Sequence, residues 1–334
     1  MDLSEAEVQV LASIYKLVEE GAVVDRSAVE ALGDRYWVFK EDWSGAFQGL
    51  AQKGLISGDD GGYRLTDAGQ PLARSYHSER PDMYWYYYQK FYPAARSSAA
   101  HSKLCERVFG EDLCQEGQTD MTSLKHLMEL LDIKPGEKVL DLGCGAGIIA
   151  EYVSDQTGAS VAGLDYAATA IAEAASRTER KRDRLSFKQG NFNALDYPDG
   201  SFDAIISLDT LYWASDLEAT LSALKRALKP GGRIGIFMNH HIGDGDPLDL
   251  LAAQHSKLAK AIAKVGLPLQ TFDYTKEIGE FWHRNFAAAK DLKEAFEAEG
   301  NGFIADSLIR ESEEDYLPDI EASRIARHLY FIRR

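Results

Sequence analysis

At 334 residues, 45% of them hydrophobic and 27% charged, the chain has an ordinary globular balance and length enough for two domains. Its formal charge of −16 counts against nucleic-acid or anionic-membrane partners, which carry the same sign. No apolar run approaches the roughly 20 residues of a membrane span, and no basic-then-apolar leader opens the sequence. The three cysteines, Cys105, Cys114 and Cys144, lack any C-x-x-C or metal-ligand spacing, so the expectation is a cytoplasmic protein without a bound metal.

In chain order, Ser4 and Glu7 form a capping box ahead of a helix in which Val8, Leu11, Ile14, Tyr15 and Val18 keep the helical period. A second short helix is predicted around 27–32 and a third near 43–53, ending in "KGLIS". "DDGGYRLTDAG" then reads as a turn and a short strand. Three helices followed by this hairpin resemble a winged helix over residues 1–80. A DNA-reading winged helix needs clustered cations. Residues 1–80 instead hold fourteen acidic and eight basic side chains, a balance of −6, and Glu41 and Asp42 open the presumed recognition helix. Dimerisation or substrate gating is the expected role, in a homodimer.

Residues 81–130 are predicted to be a helical linker covering the active site. They open on the aromatic run "PDMYWYYYQKFYP", where Tyr84, Tyr88, Phe91 and Tyr92 would share one helix face. From Lys134 short apolar strands alternate with amphipathic helices. "EKVLDLG", "SVAGLD", "LSFKQGN", "FDAIISLD" and "GRIGIFMN" are the strand candidates, with helices between them. This alternation predicts an α/β fold with a doubly wound parallel sheet over 131–334, closed by an antiparallel pair from "FIADSLIRE" and "RHLYFIRR". A helical stretch at about 244–298 would form a lid.

The sharpest local signal is "VLDLGCGAG", Val139 to Gly147, at the end of the first parallel strand. Gly143, Gly145 and Gly147 let the backbone turn tightly and approach a ligand where a Cβ would intrude. The G-x-G-x-G spacing differs from the dinucleotide-binding G-x-G-x-x-G and is preceded by an acid. Asp141 beside this loop suits a ligand bearing an ammonium and a sulfonium better than a pyrophosphate. Asp165 follows by about 20 residues, where a carboxylate accepts from ribose hydroxyls. "GNFN" places Asn191 and Phe192 near an adenine edge and face, and "SLDTLYW" delivers Asp209, Tyr212 and Trp213 to the same rim.

In this order the motifs resemble the class I S-adenosylmethionine-dependent methyltransferases over about 105–334. The resemblance implies a Rossmann-like seven-stranded sheet and S-adenosylmethionine as cofactor. It implies that Asp141, Gly143, Cys144, Gly145 and Gly147 hold the methionine moiety, Asp165 and Tyr166 the ribose, and Asn191, Phe192 and Leu208 the adenine end. The third-strand motif more often carries Asp than Asn191, but an amide oxygen accepts from the adenine amino group equally well. "CERVFGEDLCQEGQTDM" resembles the helix that small-molecule members lay over the cofactor, which brings Gln115 and Gln118 toward the methionine end.

Methyl transfer from a sulfonium is an in-line displacement, so the protein chiefly aligns the nucleophile and excludes water. A general base is needed only for a protonated oxygen or nitrogen acceptor. His101, His240 or His241 would serve there, with Asp209 beside them, while Tyr88 and Tyr92 alone would suit sulfur or a neutral amine. The acceptor implied is a small molecule, such as a small carboxylic acid with Arg96, Arg284 or Arg310 as its partner. Families with this architecture include O-methyltransferases and S-methyltransferases of thioether acids such as 4-methylthio-2-hydroxybutyrate, from dimethylsulfoniopropionate synthesis. A cofactor-sensing winged-helix regulator and a nicotinamide-dependent oxidoreductase are the alternatives; the acidic N-terminal module opposes the first and the glycine spacing the second.

Overall fold

The capping box forms as expected: the Ser4 hydroxyl accepts the Glu7 amide, and the Glu7 carboxylate accepts the Ser4 amide. The computed structural model describes residues 2–35, 43–79, 87 and 91–334. They fall into two units, Met1–Pro93 and Ala94–Arg334. The first contains α1 (Glu5–Glu19), α2 (Arg26–Arg35), α3 (Ser44–Gln52), the hairpin β1 (Ile56–Asp59) and β2 (Gly62–Leu65), and α4 (Gly69–Glu79). Leu11, Ile14, Val29, Trp43, Phe47, Leu50 and Leu55 make its core. Tyr84, Trp85, Tyr86 and Tyr88, like Glu41 and Asp42, lie outside the described residues. Of the aromatic run, Tyr87, Phe91 and Tyr92 pack together, with the Tyr92 ring 5.7 Å from Tyr87 and 6.0 Å from Phe91.

The second unit follows α5 (Tyr92–Ser97) with α6 (Ala99–Phe109) and α7 (Met121–Leu131), so helices expected as a linker are part of this body. Next come β3 (Lys138–Leu142), α8 (Ile148–Thr157), β4 (Ser160–Asp165), α9 (Ala168–Arg177), β5 (Leu185–Gln189), β6 (Phe202–Leu208), α10 (Leu217–Ala227) and β7 (Leu228–His241). All five expected parallel strands form. The chain continues through α11 (Lys257–Val265), β8 (Leu269–Asp273), α12 (Thr275–Asp291), α13 (Lys293–Ala298), α14 (Gly302–Arg310), α15 (Leu317–Glu321) and β9 (Ile325–Arg333). The seven strands run in the order β5-β4-β3-β6-β7-β9-β8, with β9 antiparallel to both neighbours. Leu140, Leu142, Ile205, Ile206, Ile234 and Ile236 are fully buried, as strands covered on both faces require. The winding reverses between β3 and β6, and ligands of such sheets bind in the crevice there.

Two expectations are corrected. "FIADSLIRE" is helix α14, not a strand; Ile304, Ala305 and Ser307 are its buried side chains, and a short apolar run does not distinguish the two forms. The sixth strand is β8, inside the stretch expected to be a helical lid. It lies at the sheet edge with every residue half-buried or exposed, so it carries no strong apolar signature. The longer helical excursion, α12 to α15, falls between β8 and β9. No helix among the described residues is long and apolar enough to cross a membrane.

Glu7 is buried, with both oxygens 2.6 Å from Lys53 Nζ. Burial raises its pKa, but the hydrogen bonds and charge of Lys53, with Ser4, outweigh this and hold it below 4.5. A depressed carboxylate contributes stability above its unfolded value that is lost as pH falls through the folded one. Lys53→Met is therefore expected to lower unfolding stability by about 1–3 kcal/mol, the cost of a stranded buried acceptor. Urea titration should show the difference shrinking below pH 4.5; a difference independent of pH would contradict the ion-pair account.

Candidate active site

The glycine loop is shaped by where it must not carry side chains. Gly143, with φ +81°, would place a Cβ 2.4 Å from Thr210 Cγ2, and Gly147, with φ +71°, one 2.4 Å from the Phe187 ring. Gly145, with φ +51°, faces open space, leaving bare backbone at the carboxyl end of β3. The amides of Gly143 and Cys144 both donate to the Leu164 carbonyl, at 2.8 and 3.0 Å, and so tie the loop to β4. Cys144 is buried in the turn, and burial followed by the charges of Asp141 and Asp165 drives its thiol pKa far up.

Two carboxylates flank this backbone. Asp165 accepts the Gly145 amide at 2.8 Å and the Ala167 amide at 2.9 Å, so it fastens the glycine loop to the turn after β4. Asp141 is 2% exposed, and its Oδ2 has no hydrogen-bond partner among the described residues. Burial first, then the charge of Asp165, pushes its pKa up to about 7. An orphaned buried oxygen beside a second acid and bare glycine backbone fits a cationic ligand, as the ammonium and sulfonium of S-adenosylmethionine require. Tyr166 is part-buried beyond Asp165, and its carbonyl accepts from Gln189. Asn191 is exposed at the end of β5, where its side chain caps the turn carrying Phe192. Leu208 closes β6 on the same rim. The structure thus brings the expected cofactor residues to the carboxyl edge of β3 to β6.

On the neighbouring rim the expected Asp209, Gln118 and Tyr212 are joined to residues that sequence reasoning missed, Arg327, Asn239, Thr119, Tyr316 and Trp282. Asp209, in the left-handed region with φ +56°, receives Arg327 Nη1 at 2.6 Å and Nη2 at 2.9 Å. Arg327 is 2% exposed and also donates to Asn239, its cross-strand partner, at 2.8 Å and to Thr119 at 2.7 Å. The Gln118 amide and the Thr119 hydroxyl donate to Asp209 Oδ2 at 3.2 and 3.1 Å. Gln118 extends the chain: its Oε1 accepts Asn239 Nδ2 at 2.6 Å, and its Nε2 donates to the Tyr316 hydroxyl at 2.7 Å. Tyr316 stacks on Trp282 at 3.8 Å and 11°, at the end of a π-helical turn, Glu311–Tyr316. Burial, Asp315 and Glu116 push the Glu311 carboxyl up to about 8. Tyr212 accepts the Asn239 amide at 2.6 Å and donates to Asp209; Trp213 is exposed.

Other expected site residues are placed elsewhere. His240 follows Asn239, so strand alternation turns it to the other face, where its Nε2 donates to the Leu250 carbonyl at 2.7 Å. His241 pairs with Asp319 at 3.0 Å. Gln115 is consumed locally, accepting the Leu113 amide and donating to the Glu111 carbonyl. Arg284 pairs with Asp120 and Arg96 with Glu173, while Arg310 lies half-buried on α14. His101 is buried beside Glu116. Tyr92 belongs to the first unit, and Tyr88 lies outside the described residues. A charged residue in "RHLYFIRR" and an amide in "IFMNHH", both inside otherwise apolar strands, were the available signals for Arg327 and Asn239.

Fold and rim together agree with the resemblance to class I S-adenosylmethionine-dependent methyltransferases that the sequence motifs carry. Residues 140–236 match the family model described as a methyltransferase domain. The chain is 34% identical over 191 residues to a sterol 24-C-methyltransferase from Gibberella zeae, covering 55% of this chain and 46% of that protein. It is 33% identical over 151 residues to a phosphoethanolamine N-methyltransferase from Triticum aestivum, covering 45% and 29%. Phosphoethanolamine N-methyltransferase 2 of Haemonchus contortus superposes with a TM-score of 0.59 at 20% identity, over 70% of this chain and 57% of that one. The chain thus spans less than half the length of these curated relatives.

Arg327→Met would strand the buried Asp209 carboxylate, and a loss of about 3–5 kcal/mol in unfolding stability is expected. Adding Asp209→Asn should recover part of that loss. Urea denaturation of both single variants and the double variant measures the coupling; strict additivity would show that the pair does not act as a unit.

Proposed function

We propose that the protein transfers the methyl group of S-adenosylmethionine to a small-molecule acceptor by in-line displacement. The orphaned Asp141 oxygen beside the open Gly145 backbone carries this reading, because it supplies a counter-charge for a cationic donor. When bound, the cofactor supplies an already activated methyl group. Gly145 and Asp141 would hold its methionine end, Asp165 its ribose, and Asn191 with Phe192 its adenine. Asp165 would exchange a loop amide for a ribose hydroxyl or hold both.

The acceptor we assign is a small carboxylic acid whose nucleophile is a thioether sulfur, of the 4-methylthio-2-hydroxybutyrate type. Gln118, Asn239, Tyr212 and Tyr316 offer neutral polar groups suited to orienting a carboxylate or hydroxyl. The stacked Trp282 and Tyr316 rings offer π-faces to the sulfonium that forms. A thioether needs no deprotonation, which agrees with His240 and His241 being engaged by Leu250 and Asp319. An amine acceptor, by analogy with the phosphoethanolamine enzymes, is the second reading, and the same rings favour it. The acidic N-terminal unit we read as a dimerisation or gating module.

Binding of a cation should ionise Asp141, so association with S-adenosylhomocysteine releases a proton below about pH 7. Affinity should rise with pH up to that value and level off above it. Conversely, a carboxyl with a raised folded pKa contributes stability at low pH that the ligand-free protein loses as pH climbs from 3.8 to about 7. Calorimetry in buffers of different ionisation enthalpy measures the released proton, and its absence would refute the role of Asp141. Asp165→Asn should weaken S-adenosylhomocysteine at least ~10-fold, about 1.4 kcal/mol. Turnover with 4-methylthio-2-hydroxybutyrate, phosphoethanolamine and phenols would then identify the acceptor, and activity on phenols alone would refute the thioether assignment.

A further inference from the structure

A second cluster carries chemistry that methyl transfer does not use. His101, buried on α6, has Nδ1 3.6 Å from Cys105 Sγ and 3.7 Å from Cys114 Sγ. Its Nε2 lies 3.2 Å from Glu116. Cys105 sits one turn further along α6 and is fully buried. Cys114 is part-exposed on left-handed backbone with φ +51°, in the segment between α6 and α7. Both thiols therefore contact the same ring nitrogen, one from α6 and one from the segment that follows it.

The arrangement is that of an activated nucleophile: a thiol, a base within contact distance and a carboxylate orienting the base's other nitrogen. Burial opposes a charge on His101, but its hydrogen bonds to Cys105, Cys114 and Glu116 outweigh that and push its pKa up to about 12. Burial pushes the Cys105 thiol up to about 11, so Cys105 stays protonated at rest.

We propose that Cys114 and Cys105 form a peroxide-reactive dithiol with His101 as its proton carrier. His101 already carries its proton, so the Cys114 thiol loses its own to solvent, and the thiolate, held against the imidazolium, attacks one oxygen of a hydroperoxide, breaking the O–O bond. The leaving oxygen takes the proton from His101 and departs as water or alcohol, leaving Cys114 as a sulfenic acid. Cys105 then passes its proton to His101 and attacks the Cys114 sulfur. Hydroxide leaves, takes that proton and departs as water, and the S–S bond is formed. Two electrons pass from the thiols to the peroxide.

The disulfide would tie the segment between α6 and α7 to α6. That segment delivers Gln118 and Thr119 to Asp209, so oxidation should loosen the acceptor side of the site. The test uses the full chain treated with stoichiometric hydrogen peroxide and mapped by non-reducing peptide mass spectrometry. A Cys105–Cys114 crosslink that dithiothreitol reverses is expected, with Cys144 remaining a free thiol. Cys105→Ser should stop the reaction at a Cys114 sulfenic acid trapped by dimedone, and His101→Gln should slow oxidation roughly 100-fold. Oxidation of Cys114 without the crosslink, or His101→Gln reacting at the wild-type rate, would overturn the proposal. Because the crosslink is read chemically, its outcome is independent of whether the protein methylates anything.

Discussion

The buried pairing of Asp209 with Arg327 is the constraint around which the rim beside the glycine loop is organised. Taking two charges out of water costs several kcal/mol per ion, and only well-aligned geometry with further hydrogen bonds offsets that. Here the fork of Arg327 meets both carboxylate oxygens, and Asn239 and Thr119 each accept a further Nη hydrogen. The pair thereby locks the end of β6, the end of β7, the start of β9 and the segment before α7 into one arrangement. Gln118, Tyr212 and Tyr316 are oriented through that arrangement, which makes Arg327 a positioning residue.

Three carboxylates at one sheet edge thus take three states set by their surroundings. Asp209 is neutralised by a guanidinium, and Asp165 is satisfied by backbone amides. Asp141 has an oxygen with no partner among the described residues and a pKa near 7. The deficit of positive charge is therefore concentrated at Asp141, beside the one glycine of the loop whose missing side chain leaves open space. A cationic ligand meets both conditions at once.

The parts legible in the sequence are those whose signals are local. Gly143, Gly145 and Gly147 declare themselves because their conformations exclude other residues, and the parallel strands because burial on both faces makes them continuous apolar runs. The doubly wound parallel sheet follows from the α/β alternation. Arg327 was not legible as the partner of Asp209 and Asn239, since those contacts span 118 and 88 residues and carry no spacing motif. His240 was misread by one position: in a strand, a one-residue step exchanges the two faces. β8 was missed because an exposed edge strand need not be apolar, and α14 was mistaken because its apolar run is short.

The placement of β9 between β7 and β8 has a consequence for biosynthesis. Arg327 leaves the ribosome after every other member of its network, so a nascent chain holds Asp209 and Asn239 with no cation to join them. The interior slot of the sheet also stays open until β9 inserts, exposing the edges of both flanking strands. Closure of the sheet and completion of the Asp209–Arg327 network are then a single late, long-range event, of the slow kind that loop-closure entropy imposes. A chain stalled before that step would offer two unpaired strand edges to its neighbours, and chaperone protection would matter most in that interval.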